Sequence, residues 1–254
     1  MAIPLGVMAS ARSFSPKSIT GLNAWYDAST ISGFSDGASL TSWSDASGNG
    51  YHLAPAATAP LYRAGIIGAN IRSDRGVVHF NSSIETRALY NTTDPNGDAP
   101  EQTIVAVVYR ASGMPTVKMG ITSGADNVSG GLYLAQRGTA GTSYPYEAAL
   151  TASGVVDFSG SNLVMSEDRF NIIIGAYSDA GNLVRYRQNG SEQVWSGVTS
   201  SLGASTGRVV GAWQNRTADY WFGYMAEILH YTSYLTTEQC QQLEAYLTAK
   251  WSIT

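Results

Sequence analysis

Side chains able to make or break covalent bonds are few and scattered in this sequence. Hydrolysis of a glycosidic bond needs a proton donor and a second carboxylate flanking that bond. The adjacent pair Glu167-Asp168 does not supply them, because neighbours on a strand point to opposite faces and this pair sits beside Arg169 in turn-like sequence. His52, His79 and His230 stand far apart without metal-ligand spacing. His79 and His230 lie inside strand patterns, which makes them core or half-buried histidines rather than ligands. Phosphate-loop and zinc spacings do not occur. Cys240 is the single cysteine, so no intrachain disulfide can form, and its place on the inward stripe of a helix suits a buried thiol. The expectation is a protein that is not an enzyme.

Residues suited to binding are easier to find. Tyr144 and Tyr146 flank Pro145 in a Gly/Thr-rich stretch, where exposed rings would stack on a sugar face or anchor a partner; a loop folded over its own domain explains them equally well. Between Trp213 and Trp221 the chain places Asn215, Arg216 and Asp219, an amide, a guanidinium and a carboxylate between aromatic residues, which suits a hydroxyl-rich ligand. Both tryptophans would also serve as the ends of core strands. The candidate ligand-binding residues are therefore Tyr144, Tyr146, Trp213, Asn215, Arg216 and Asp219.

The elements that must position these residues are strands. Ile104 to Tyr109 and Asn171 to Tyr177 are continuous apolar runs of strand length, fit for strands covered on both faces, with Gly175 marking a bulge or close approach. Leu183 to Gln188 alternates, and Asn189-Gly190 before Gln193-Val194-Trp195 is a strong hairpin signal. That alternation turns Val184 and Tyr186 inward, Arg185 and Arg187 outward. Arg208 to Trp213 and Trp221 to Tyr231 add two strands. Thr236 then caps a helix in which Cys240, Leu243, Leu247 and Trp251 form one apolar stripe against the strands.

Composition agrees. Only 13% of the 254 residues are charged, while Gly numbers 27 and Tyr 15, the profile of many short strands joined by tight turns. No linker composition divides the chain, so one domain is expected over residues 20–254, preceded by an arm over residues 1–19. A formal net charge of −4 without a Lys/Arg cluster excludes a nucleic-acid surface. No stretch approaches the roughly 20 apolar residues of a membrane span, so no membrane insertion is expected.

The two ends carry a resemblance. W-S-D-A-S-G-N-G at 43–50 combines Asp45 and Ser47, which bond their own backbone, with Gly48 and Asn49-Gly50 for positive-φ positions. F-G-Y-M-A-E-I-L-H-Y at 222–231 leads into a helix ending Y-L-T-A-K-W, with Gly21 to Ala28 upstream of residues 43–50 and Val77 to Phe80 downstream of them. This combination resembles the concanavalin A-like lectin/glucanase superfamily, specifically the laminin-G-like jelly rolls of bacterial surface and bacteriophage proteins. The resemblance implies an all-β fold: an antiparallel jelly-roll β-sandwich with a C-terminal α-helix. Glucanases of this fold carry closely spaced carboxylates of the E-x-D-x-E type, which this sequence lacks. Many laminin-G-like domains hold calcium at a sandwich rim; the carboxylates that would serve are Asp27, Asp36, Asp45, Asp126 and Asp219, but none forms a dense calcium loop. No resident cofactor is expected.

Ile3, Leu5, Val7, Met8 and Phe14 in the arm are too few to form a core, so they are expected to contact a neighbouring subunit. No basic region and uninterrupted apolar run of a secretory signal occurs in the first twenty residues. With the resemblance, this points to a non-enzymatic structural and binding protein of a tailed bacteriophage virion: a capsid decoration, head fibre or tail-associated adhesin made in the host cytoplasm. Its expected partners are other virion proteins in a homo-oligomer or symmetric assembly, and host surface polysaccharide. The alternatives are a glycan-binding module of a bacterial surface protein and a glycoside hydrolase of the same fold.

Overall fold

A computed structural model describes residues 14–56, 58–65, 75–80, 86–110, 119–124, 132–136, 146–150, 165–197, 205–212 and 220–253. They form an antiparallel jelly-roll β-sandwich closed by one α-helix. The strands are β1 (Leu22–Asp27), β2 (Ala54–Pro55), β3 (Leu61–Arg63), β4 (Val77–Phe80), β5 (Leu89–Asn91), β6 (Glu101–Arg110), β7 (Met119–Gly124) and β8 (Leu132–Gln136). They continue with β9 (Tyr146–Leu150), β10 (Arg169–Ser178), β11 (Leu183–Gln188), β12 (Ser191–Ser196), β13 (Arg208–Val210) and β14 (Gly223–Tyr231), before helix α1 (Thr237–Trp251). One sheet has the order β12-β11-β10-β6-β14-β4-β3 with β1 also paired to β14; the other has the order β2-β5-β13-β7-β8-β9.

The strand signals in the sequence correspond to the centre of the first sheet. β6 lies between β10 and β14, and Ile104 to Val108 are completely buried, as apolar residues of a strand covered on both faces must be. Asn189 and Gly190 take φ of 48° and 86° and close the β11–β12 hairpin with a two-residue turn of the primed type. Gly175 marks no bulge: the register of β10 with both neighbours runs through it unbroken. The irregularity lies in β14 instead, where pairing with β6 shifts between Met225 and Glu227. β13 stops at Val210, short of the expected Trp213, where Gly211 turns to positive φ.

Helix α1 has the expected cap. The Thr236 hydroxyl accepts from Gln239 N–H, and the Gln239 side chain accepts from Thr236 N–H at 2.8 Å, a reciprocal capping box. Cys240, Leu243, Leu247 and Trp251 are all buried against the outer face of the first sheet. That position of α1 alters the fate of Arg185 and Arg187. They do point away from the sandwich interior, but the helix covers them, leaving only 7% and 2% exposed. Arg187 bonds Glu244 of the helix (2.8 Å) and Glu192 of β12 (2.6 Å), while Arg185 donates to the Leu235 carbonyl and the Thr237 hydroxyl.

Between the sheets, Tyr26, Trp43, Leu89, Ile121, Leu134, Val210, Ile228 and His230 belong to one continuous buried cluster and its lining. Arg208 of β13 is also fully buried there. Its guanidinium makes a two-pronged pair with Asp94 (2.7 and 2.8 Å) and donates to the Leu132 carbonyl. Among the described residues no helix is long and apolar enough to cross a membrane.

Candidate functional site

Most residues that sequence reasoning selected for ligand binding lie outside the described residues: Tyr144, Trp213, Asn215, Arg216 and Asp219. Tyr146 opens β9, where its backbone pairs with Gln136. Of the arm, Ile3, Leu5, Val7 and Met8 are also outside. Phe14 packs on Tyr246 of α1, ring centroids 5.7 Å apart. Just after it, Pro16 accepts from the Tyr231 hydroxyl and Ile19 enters the core.

The described carboxylates considered for calcium have protein partners. Asp45 accepts from Trp25 N–H (2.9 Å), Ser47 N–H (2.8 Å) and Tyr51 N–H (3.1 Å); these bonds outweigh burial and hold its carboxyl below the usual range. It therefore organises the reversal whose ends, Trp43 and Leu53, bridge each other. Asp36 pairs with Arg63 and accepts from Ala64 N–H. Asp126 lies outside the described residues. Among the described residues no group of three or more His, Cys, Asp or Glu is placed to hold a metal.

The fold does bring two carboxylates together from distant strands. Asp27 faces Glu227 across the β1–β14 pair, and Lys250 of α1 bonds both, at 2.6 and 2.7 Å. Glu227 also accepts from Trp25 Nε1 and Trp251 Nε1, each at 2.6 Å. Burial alone would weaken the Lys250 ammonium, but Glu227 and Asp27 outweigh it and raise its pKa. Asp27 is 4% exposed and Glu227 fully buried. A substrate cannot reach a pair sealed by two tryptophans and a lysine, so the cluster fastens the end of α1. Glu167 and Asp168 form a turn, as expected: Asp168 has φ 56° and Glu167 pairs with Arg110.

Beyond the end of α1, the outer face of the first sheet carries an aromatic row. In register across five strands lie Leu61 (β3), His79 (β4), Tyr224 (β14), Tyr109 (β6) and Phe170 (β10). His79 stacks on Tyr224 with centroids 4.5 Å apart. Tyr224 meets Tyr109 edge-on at 5.4 Å, and Tyr109 meets Phe170 at the same distance. At a strand spacing of about 4.8 Å the row spans roughly 19 Å. Tyr109 lies on the helix-bearing face because Val107, two residues before it, pairs with Glu227. Phe170 is buried, whereas Leu61, His79, Tyr224 and Tyr109 remain partly exposed.

Two local features shape the row. A Cβ on Gly223 (φ 147°) would lie 2.1 Å from the Tyr109 carbonyl oxygen, so only glycine lets β14 start this close to β6. His79 is held neutral: burial first, then Arg63 and Arg87, lower its pKa to about 4, and its Nδ1 has no hydrogen-bond partner among the described residues. The Tyr109 hydroxyl donates to Asp168 (3.4 Å), and burial with that carboxylate raises its pKa. The row thus offers a partly exposed aromatic surface with polar groups at its edges. Sequence reasoning placed His79 in a strand as a core or half-buried residue and read Tyr109 and Tyr224 only as strand residues; their convergence depends on cross-strand register.

Comparison with known proteins bears on the fold. No family model matches the sequence, and no curated protein matches it. Solved structures do match, at low identity. The receptor binding domain of botulinum neurotoxin mosaic serotype C/D is 10% identical with a TM-score of 0.57, over 89% of this chain and 51% of that one. Trypanosoma rangeli sialidase in complex with sialic acid is 12% identical with a TM-score of 0.57, over 89% of this chain and 33% of that one. The chain therefore spans about half and a third of their respective lengths. Domain 4 of AbnA, a GH43 extracellular arabinanase from Geobacillus stearothermophilus, in complex with arabinotriose, is 15% identical with a TM-score of 0.59; the match covers 88% of this chain and 98% of that domain. These likenesses establish a β-sandwich compatible with the lectin/glucanase-like fold.

Proposed function

We propose that this chain is a non-catalytic glycan-binding β-sandwich that holds sugar rings against the exposed aromatic surface of His79, Tyr224 and Tyr109. The observation that carries the reading is the in-register row itself, with partly exposed rings held at 4.5 and 5.4 Å. Sugar rings present C–H faces and hydroxyl edges. The exposed aromatic surface takes the former and the polar groups of the row take the latter, as binding sites with apolar walls and a few polar groups do. The arabinotriose complex of the AbnA domain, matched over nearly its whole length, supports a sugar as ligand for a sandwich of this shape. The sealing of Asp27 and Glu227 under Lys250 supports binding without hydrolysis.

For its biological setting we propose the virion of a tailed bacteriophage, where the protein would be a structural and binding component meeting host polysaccharide. The reading rests on the resemblance of residues 43–50 and 222–251 to laminin-G-like phage proteins. The AbnA match favours a second reading, a glycan-binding module of a larger bacterial protein. A glycan array separates binding from its absence: wild type should retain neutral oligosaccharides and Tyr224→Ala should not, whereas equal retention would remove the row from the account. Mass spectrometry of purified phage particles tests the setting, which fails if the chain is absent from them.

A further inference from the structure

The first sheet has two edges of different character. At one, β3 is three residues long and is covered by the chain at 37–40, where Gly37 N–H donates to the Tyr62 carbonyl and Tyr62 N–H to the Ala38 carbonyl. At the other, β12 is six residues long and, among the described residues, pairs with β11 alone. Edge strands are normally protected by Lys, Pro, a bulge or brevity. β12 has the sequence S-E-Q-V-W-S and a regular register with β11 throughout. Its one charge, Glu192, bonds Arg185 and Arg187.

The hairpin settles which groups of β12 face outward. In a two-residue hairpin the closing pair, here Gln188 and Ser191, exchanges both backbone bonds, and bonded pairs recur at every second residue. Ser191, Gln193 and Trp195 therefore bond β11, leaving the N–H and C=O groups of Glu192, Val194 and Ser196 directed away from the sheet. Val194, at the middle of this set, is the one exposed large hydrophobic residue among the described residues, at 46%. Next to it, Gln193 Oε1 is buried without a donor among the described residues.

We propose that β12 joins two copies of this chain, antiparallel about a two-fold axis through Val194. In that register Val194 faces its own copy, and Glu192 faces Ser196 of the second copy on either side, so all six outward backbone groups are paired in both strands. No like charges meet. A register centred on Gln193 would leave the Ser196 groups unpaired, and it would not bring the two Val194 side chains together. The symmetry is isologous, so the contact closes at two subunits.

Cysteine cross-linking and light scattering test this on the full chain. Val194→Cys should form a disulfide-linked dimer under mild oxidation, since the two Cα atoms of such a pair lie about 5.5 Å apart. Ser196→Cys, displaced from its copy by about four residues in this register, should not. Cys240, buried with its thiol pushed up to about 11, should remain unreacted in wild type. By light scattering, wild type should reach a dimer with increasing concentration, and Val194→Lys should stay monomeric with an unchanged melt. A wild type monomeric at every concentration overturns the proposal. So does a dimer that survives Val194→Lys or in which Val194→Cys fails to cross-link. Should Val194→Lys fail to fold, the cross-linking pair decides alone.

Discussion

Asp27 and Glu227 face each other across β1 and β14, and the ammonium of Lys250 bonds both carboxylates at 2.6 and 2.7 Å. Two carboxylates are thereby held in the interior by a residue 23 positions beyond the nearer of them, and the last turn of α1 is tied to the sheet. Removing one partner of a buried ionic cluster leaves the others uncompensated, at a cost of about 3–5 kcal/mol. Lys250→Ala is expected to lower the urea midpoint by a corresponding amount without changing the slope. An unchanged midpoint would show that α1 is held by its apolar stripe alone.

That stripe has its own expected magnitude. Leu247 is completely buried, and truncating such a leucine costs about 2–5 kcal/mol in lost transfer and cavity terms. Leu247→Ala should therefore melt well below wild type by calorimetry. A melt equal to wild type would mean that the helix packs on something other than this sheet.

Acid should destabilise the protein through its histidines. His230 is completely buried, with neither ring nitrogen partnered among the described residues, and burial, then Arg208, lowers its pKa well below 6.5. His79 is lowered to about 4 by burial, then by Arg63 and Arg87. The unfolded chain thus binds protons that the folded chain refuses, and stability falls as pH drops below 6.5. For His79 the loss continues to about pH 4. Melting temperatures from pH 7.5 to 4.5 should fall in wild type and fall less steeply in His230→Leu. Parallel profiles for the two proteins would show that His230 does not contribute.

What could be read from the sequence was local. Asn189-Gly190 and Thr236 carry their turn and cap in their own chemistry, and the β6 and β10 runs are apolar enough to identify central strands. The burial of Arg185 and Arg187 was not readable, because their cover, Glu244 and Thr237, lies some fifty residues further on. The aromatic row was hidden for the same reason. His79, Tyr109 and Tyr224 are separated by 30 and 115 positions and meet only through two strand registers. The binding residues chosen from sequence, Tyr144 and the 213–219 segment, fall outside the described residues and stand as independent candidates.

The central claim is that the row binds sugar, and calorimetric titration of the full chain with neutral oligosaccharides, arabinotriose included, tests it most directly. Wild type is expected to bind with the heat of a stoichiometric complex and to release no reducing ends. Tyr109→Ala and Tyr224→Ala, with melts that show folded protein, should each weaken binding by at least about tenfold, or ~1.4 kcal/mol. Binding by the two folded variants as tight as wild type, or no binding by wild type across the panel, would contradict the account.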